Sequence, residues 1–166
     1  MDLYLLRHAT AVNVGAPNAP RDADRYLSEE GIEEATKAAQ GLRKIEKHFS
    51  LILTSPYPRA RQTAEIAARA VGQLEDVEDC GILAPGAVLD EVAREINRRH
   101  PKGAVLIVGH NPDFEEMIAD ALTCEGGGRI NVSKCSLAHL RFERAIAAGK
   151  GKLRALIPCQ CLQKMA

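Results

Sequence analysis

Two histidines and two arginines stand out because each lies just beyond a short apolar run. Arg7-His8 follows Leu3-Tyr4-Leu5-Leu6, and Gly109-His110-Asn111-Pro112 follows Ala104-Val105-Leu106-Ile107-Val108. Between them, Ser55-Pro56-Tyr57-Pro58-Arg59 follows Leu51-Ile52-Leu53-Thr54. Guanidinium forks and helix-end N–H groups match the oxygens of a phosphate, so arginines gathered at strand ends read as an anion pocket. Two histidines beside such an anion add chemistry. A neutral imidazole is a competent nucleophile near neutral pH and can take a phosphoryl group covalently. The arginines and the other imidazole, if protonated, would offset charge on the transferring group. His8 and His110 do not share a metal-ligand spacing such as H-x-x-x-H, and the scheme needs no metal and no cofactor. The plainer alternatives are a structural histidine at a strand end and a solvated arginine in a first helical turn. A cation there opposes the helix dipole, however, so Arg59 is locally unfavourable unless an anion sits nearby.

These residues converge only if the elements before them lie side by side. The apolar runs read as strands buried on both faces, as in a parallel sheet. Helical stripes lie between them. Residues 28 to 48 place Ile32, Ala35, Ala39, Leu42 and Ile45 on one face, and from Pro58 the stripe Ala60, Ala64, Ala67 and Val71 runs to Gly72. Val88, Leu89, Val92 and Ile96 mark a third helix, closed by Arg98-Arg99-His100, a cluster that reads as a solvated, dipole-complementing end. A fourth has Asn111 as N-cap, Pro112 at its first position, and Phe114, Met117, Ile118, Ala121 and Leu122 inward. Gly126-Gly127-Gly128 reads as a flexible turn, with strands near Ser136 to Phe142 and Leu153 to Ile157. The segment after Pro158 carries no clear pattern. Alternating strands and helices predict an α/β layer fold, whose ligands bind beyond the carboxyl ends of the strands.

Composition narrows the function. With 166 residues, 46% hydrophobic and 27% charged, the chain suits one globular domain. Twenty-two basic side chains balance 22 acidic ones, which argues against a general nucleic-acid binder but permits a local anion pocket. No Trp and only three Tyr and three Phe leave little for stacking bases. No run approaches a membrane span, and the N-terminus lacks the pattern of a signal peptide. Five scattered cysteines, of which only Cys159 and Cys161 are close-set, read as reduced thiols of a cytoplasmic protein.

The motifs together resemble a known family. Leu6-Arg7-His8-Ala9 resembles the Arg-His motif of the histidine phosphatase (phosphoglycerate mutase-like) superfamily. Ser55-Pro56-Tyr57-Pro58-Arg59-Ala60-Arg61-Gln62-Thr63-Ala64 is similar to its Ser-Pro and Arg-Ala-x-Gln-Thr-Ala block, and Val108-Gly109-His110-Asn111-Pro112 to its Gly-His block. The order matches, over roughly residues 1 to 122. The resemblance implies a single domain over residues 1–166, a three-layer α/β/α sandwich with a mostly parallel central sheet. It implies His8 as the phosphorylated nucleophile, Arg7 and Arg59 as phosphate ligands, and His110 completing the pocket.

The short length and Asp24-Arg25-Tyr26-Leu27-Ser28-Glu29-Glu30-Gly31 look like the SixA-type phosphohistidine phosphatases, as does Pro158-Cys159. By that resemblance Arg25 reaches the pocket rim, although a charged flank to a helix explains it equally. Many superfamily members supply a carboxylate as general acid. Here the candidates are Asp79, Asp113 or none. A missing acid suits a phosphoramidate, whose P–N bond is labile once its nitrogen is protonated. The expected substrate is therefore a phosphorylated protein, a His-containing phosphotransfer protein being one such case. The alternatives are a small-molecule phosphomonoesterase or mutase, a non-catalytic phosphate-dependent binding module, and a metal protein using Cys159 and Cys161. Oligomeric state leaves no trace in the pattern.

Overall fold

Apolar runs without alternation become central strands because both of their faces are covered. In a computed structural model, which describes residues 1–123 and 129–166, six strands join one sheet. They are β1 (Asp2–Arg7), β2 (Leu51–Thr54), β3 (Val77–Asp79), β4 (Ala104–Gly109), β5 (Leu137–Phe142) and β6 (Gly151–Ile157). The spatial order is β3-β2-β4-β1-β5-β6, parallel from β3 to β1. β5 then pairs antiparallel with β1, and β6 antiparallel with β5. Cys124 and the Gly126-Gly127-Gly128 turn lie outside the described residues.

Among the described residues five α-helices cover the sheet: α1 (Glu29–Ile45), α2 (Pro58–Ala70), α3 (Leu89–Arg99), α4 (Asp113–Leu122) and α5 (Cys159–Lys164). Successive strand residues feed opposite cores. Leu3, Leu5, Val105 and Ile107 pack with Val92 and Ile96 of α3 and with Phe114 and Met117 of α4. Tyr4, Leu6, Leu106 and Val108 pack with Ala35 and Leu42 of α1, Ala60 and Ala64 of α2, and Leu162 of α5. The result is the three-layer α/β/α sandwich with a mostly parallel sheet.

Two glycines of α1 allow close approaches to neighbouring backbone. A Cβ at Gly31 would collide with the carbonyl of Thr10, so α1 can begin hard against the segment that follows β1. A Cβ at Gly41 would collide with the carbonyl of Leu162, which lets α5 lie on α1. Ser28 caps α1, its Oγ accepting from the Gly31 N–H at 3.1 Å.

Several sequence expectations need correction. Ile32 is 45% exposed, because α1 turns its small residues Ala35, Ala38 and Ala39 inward instead. Val88 precedes α3 and is also exposed, while Val71 caps α2 from just outside it. Asn111 is not the N-cap of α4. Its amide donates to Glu115 Oε1 at 2.6 Å and to the Val132 carbonyl at 2.9 Å, and Pro112 takes the cap position. Arg98 and Arg99 pair with Glu95, and Arg99 also with Glu78, in keeping with a solvated helix end. Among the described residues no helix is long and apolar enough to cross a membrane.

Candidate active site

Register brings the motif residues together. Arg7 lies opposite Gly109, and Thr54 opposite Val108, so β1, β2 and β4 end level with one another. The residues that follow are His8, Ser55 and His110. The His8 N–H continues the ladder to the Gly109 carbonyl at 3.1 Å, and the Ser55 N–H reaches the Val108 carbonyl at 2.9 Å. The two imidazole centroids are 5.2 Å apart, and both rings are buried.

The tautomer of His8 follows from one contact. Its Nδ1 lies 2.8 Å from the carbonyl of Ala9, which can only accept, so Nδ1 carries the hydrogen. The lone pair therefore belongs to Nε2, which accepts from Arg59 Nε at 3.2 Å. Burial pulls the His8 pKa from 6.5 down to about 4, and the charges of Arg59 and Arg7 push the same way. His110 falls to about 3, chiefly through burial, with His8 and Arg59 adding to it. Both rings are neutral at pH 7. A phosphoryl dianion entering the site would favour the protonated form of His110 again. His110 Nε2 is 2.7 Å from Ser55 Oγ.

The cations are placed by backbone carbonyls and by one carboxylate. Arg7 donates from Nη1 to the Val132 carbonyl at 2.7 Å. Burial draws its guanidinium below the usual range, although an arginine keeps its proton in a protein. Arg59 sits in the first turn of α2, yet it is 4% exposed rather than solvated. Its Cζ lies 5.1 Å from the ring centre of Tyr57, which also meets the His110 ring edge-on at 5.3 Å. Arg61 turns away to Glu65 and Asp79. Arg25 donates to the Val12 carbonyl at 2.6 Å and to Asp22 at 3.0 Å, and its own carbonyl accepts from the Arg59 N–H.

Both candidate acids are committed elsewhere. Asp79 is exposed and bound by Arg61 at 3.1 Å. Asp113 is buried, and its Oδ2 accepts from the N–H groups of Gly86 and Ala87 at 2.9 and 3.2 Å, tying α4 to the segment before α3.

Other residues hold the scaffold of the site. Thr63 accepts from the Ala9 N–H and donates to the Arg59 carbonyl, while Gln62 accepts from the Leu27 N–H. These contacts explain the Gln-Thr pair within the second motif. Cys135, with φ of 57°, donates its N–H to the carbonyls of Arg7 and His8. Cys80, Cys135, Cys159 and Cys161 are free thiols, and Cys161 is exposed while Cys159 is buried. Among the described residues no group of three or more His, Cys, Asp or Glu side chains forms a metal site. Ser55 and Tyr57 were visible only as motif neighbours, and Asp22 carried no signal at all.

Comparison with known proteins gives the lineage. The profile of the histidine phosphatase superfamily (branch 1) matches residues 3–81. An uncharacterized protein of Picosynechococcus sp. is 35% identical over 144 residues, which is 85% of either chain. The chain belongs to the histidine phosphatase superfamily. As a member it is a phosphatase, built on the phosphoglycerate mutase-like fold. The solved protein histidine phosphatase SixA, complexed with tungstate, superposes with a TM-score of 0.80 at 20% identity, covering 96% of this chain and 98% of that one. At that identity the likeness concerns the fold alone. A putative phosphohistidine phosphatase SixA from Agrobacterium tumefaciens is 26% identical, with a TM-score of 0.74 and coverage of 94% and 96%.

The depressed histidines of this phosphatase have a consequence for stability. In the unfolded chain both rings titrate near 6.5, whereas in the folded protein they do so at about 4 and about 3. As pH falls from 6.5 towards 4, the unfolded state takes protons that the folded state does not, so stability declines. The melting temperature is expected to drop through that window. A His8→Asn/His110→Asn double variant should show a shallower slope there, and parallel curves for the two proteins would contradict the assignment.

Proposed function

We propose that this phosphatase hydrolyses protein phosphohistidine through a covalent phospho-His8 intermediate, without a metal. The observation that carries the reading is the His8 tautomer: Nδ1–H is tied to the Ala9 carbonyl, and the Nε2 lone pair is left beside Arg59. In the first step Nε2 attacks phosphorus and the substrate P–N bond breaks. Its electron pair goes to the substrate imidazole, which departs as a neutral ring when its other nitrogen already bears a proton. Arg7, Arg59 and His110 offset charge on the phosphoryl oxygens during transfer.

Phospho-His8 keeps its Nδ1–H, so the ring is an imidazolium whose charge the Ala9 carbonyl stabilises. In the second step water attacks phosphorus, the Nε2–P bond breaks, and its pair returns to His8 as the neutral imidazole. The water proton leaves with phosphate and solvent. Neither step requires a protein acid.

That last point favours a phosphoramidate over a phosphomonoester. An alkoxide leaves poorly unless an acid protonates it. Asp79 and Asp113 are engaged by Arg61 and by backbone N–H groups. Asp22 is held below the usual carboxylate range by its hydrogen bond from Arg25, with Arg59 beside it, and so lacks a proton to give. The test is a pair of peptides of one sequence, one carrying phosphohistidine and the other phosphoserine. The phosphohistidine peptide is expected to show kcat/KM at least about 100-fold higher, the lower range of a single acid–base contribution. Equal rates, or a preference for phosphoserine, would point instead to a phosphomonoesterase.

A further inference from the structure

The segment between β1 and α1, residues 8 to 28, carries a single-turn 3-10 helix at Asp22–Asp24, and that turn sets Asp22 against Arg59. Arg59 Nη1 donates to the Asp22 carbonyl at 2.6 Å, and Nη2 donates to Asp22 Oδ2 at 2.9 Å. The other carboxylate oxygen accepts from Arg25 Nη1 at 3.0 Å. One residue thus engages both terminal nitrogens of the Arg59 guanidinium while its third nitrogen, Nε, meets His8 Nε2. Because the guanidinium is planar, fixing two of its nitrogens fixes the direction of the third.

Exposure separates this pair from an ordinary surface ion pair. The Asp22 side chain keeps 55% of its surface exposed, but that of Arg59 keeps only 5%. Exposed pairs contribute little, whereas a buried cation depends on its partners for orientation. Asp22 also bridges two like charges. It offsets the repulsion between Arg25 and Arg59, whose backbones are already joined by the Arg59 N–H on the Arg25 carbonyl at 3.1 Å. Each terminal nitrogen of Arg59 has two N–H groups and gives one to Asp22, which leaves one on each for phosphoryl oxygens.

We propose that Asp22 is a positioning residue of the phosphoryl pocket, orienting Arg59 for His8 and for the transferring group. The proposal rests on the reading of Arg59 as a phosphate ligand. It makes Asp22 a partner that acts through Arg59, neither a proton donor nor a competitor for the anion.

The test is a cycle of Asp22→Ala and Asp22→Asn, each alone and combined with Arg59→Ala, in the full chain with a phosphohistidine peptide. Orthovanadate inhibition is measured in parallel. Asp22→Ala is expected to lower kcat about 10- to 100-fold, the scale of a misplaced catalytic group, and to weaken vanadate inhibition. Asp22→Asn, which keeps one acceptor oxygen, should recover part of the loss. In the Arg59→Ala background the same substitutions should change kcat by less than about twofold, because the residue they act through is gone. Wild-type kcat in Asp22→Ala would overturn the proposal, and so would tighter vanadate inhibition, the mark of a carboxylate that competes with the anion. Equal losses in both backgrounds would also overturn it. Wild-type activity in Arg59→Ala alone would instead overturn the reading of the pocket, and the proposal with it.

Discussion

Replacing His8 with asparagine is expected to lower turnover of a phosphohistidine peptide by about 10⁴-fold or more, the order seen when an enzyme loses its nucleophile. The loss follows from geometry. Nε2 is the one nitrogen of His8 without a hydrogen, its pair accepting from Arg59 Nε, because Ala9 has already fixed the hydrogen on Nδ1. Burial keeps the ring neutral to about pH 4, so the nucleophile needs no base to deprotonate it. Asparagine fills a similar polar space but offers an amide nitrogen whose pair is delocalised. The variant should still bind phosphate, because Arg7, Arg59 and His110 remain. A rapid-quench assay for acid-labile phosphoprotein measures the effect, and wild-type turnover by His8→Asn would remove His8 from the chemistry.

Arg59→Ala should have the next largest effect, a fall in kcat of about 10²- to 10³-fold, typical of losing one donor to a developing charge. Arg59 is buried and makes three hydrogen bonds to two residues: to His8 through Nε, and to Asp22 through both terminal nitrogens. Its removal takes positive charge from the phosphoryl pocket and leaves the Asp22 carboxylate with Arg25 alone. Binding of vanadate, read by inhibition, should weaken with kcat. Lysine is not expected to restore activity, since a single ammonium cannot reproduce the planar fork that meets His8 and Asp22 together. Unchanged kcat and unchanged vanadate inhibition in Arg59→Ala would contradict this role.

The central strands were legible because burial on both faces leaves an unbroken apolar run. β1, β2 and β4 all have that form. β3 was not legible. Only Val77 of its three residues is buried, and an edge strand so short carries no period. The helix α5 went unread because its burial rests on Cys159 and Leu162 alone, and its seat against Gly41 is tertiary. Ile32 misled because it fits the helical stripe while α1 packs through alanines a fraction of a turn away.

The site divides in the same way. Arg7, His8, Arg59 and His110 could be picked out because each lies at or beyond the end of an apolar run that forms a strand, and a common strand end is a consequence of register. Asp22 could not. It lies among Arg21, Asp24 and Arg25 in a stretch of mixed charge, and only the turn at Asp22–Asp24 decides which carboxylate meets Arg59. The roles of the Ala9 and Val132 carbonyls were equally hidden, because any residue type supplies a carbonyl. Asp113 looked like a candidate acid on proximity to His110, until Gly86 and Ala87 claimed its oxygen.

The most direct measurement follows the phosphoryl group itself. The protein is mixed with a peptide carrying ³²P-phosphohistidine, quenched in base within the first turnover, and digested to locate the label. Base-stable, acid-labile phosphate is expected on His8, formed at least as fast as inorganic phosphate is released. Release of phosphate at the full rate with no label passing through His8 would contradict it.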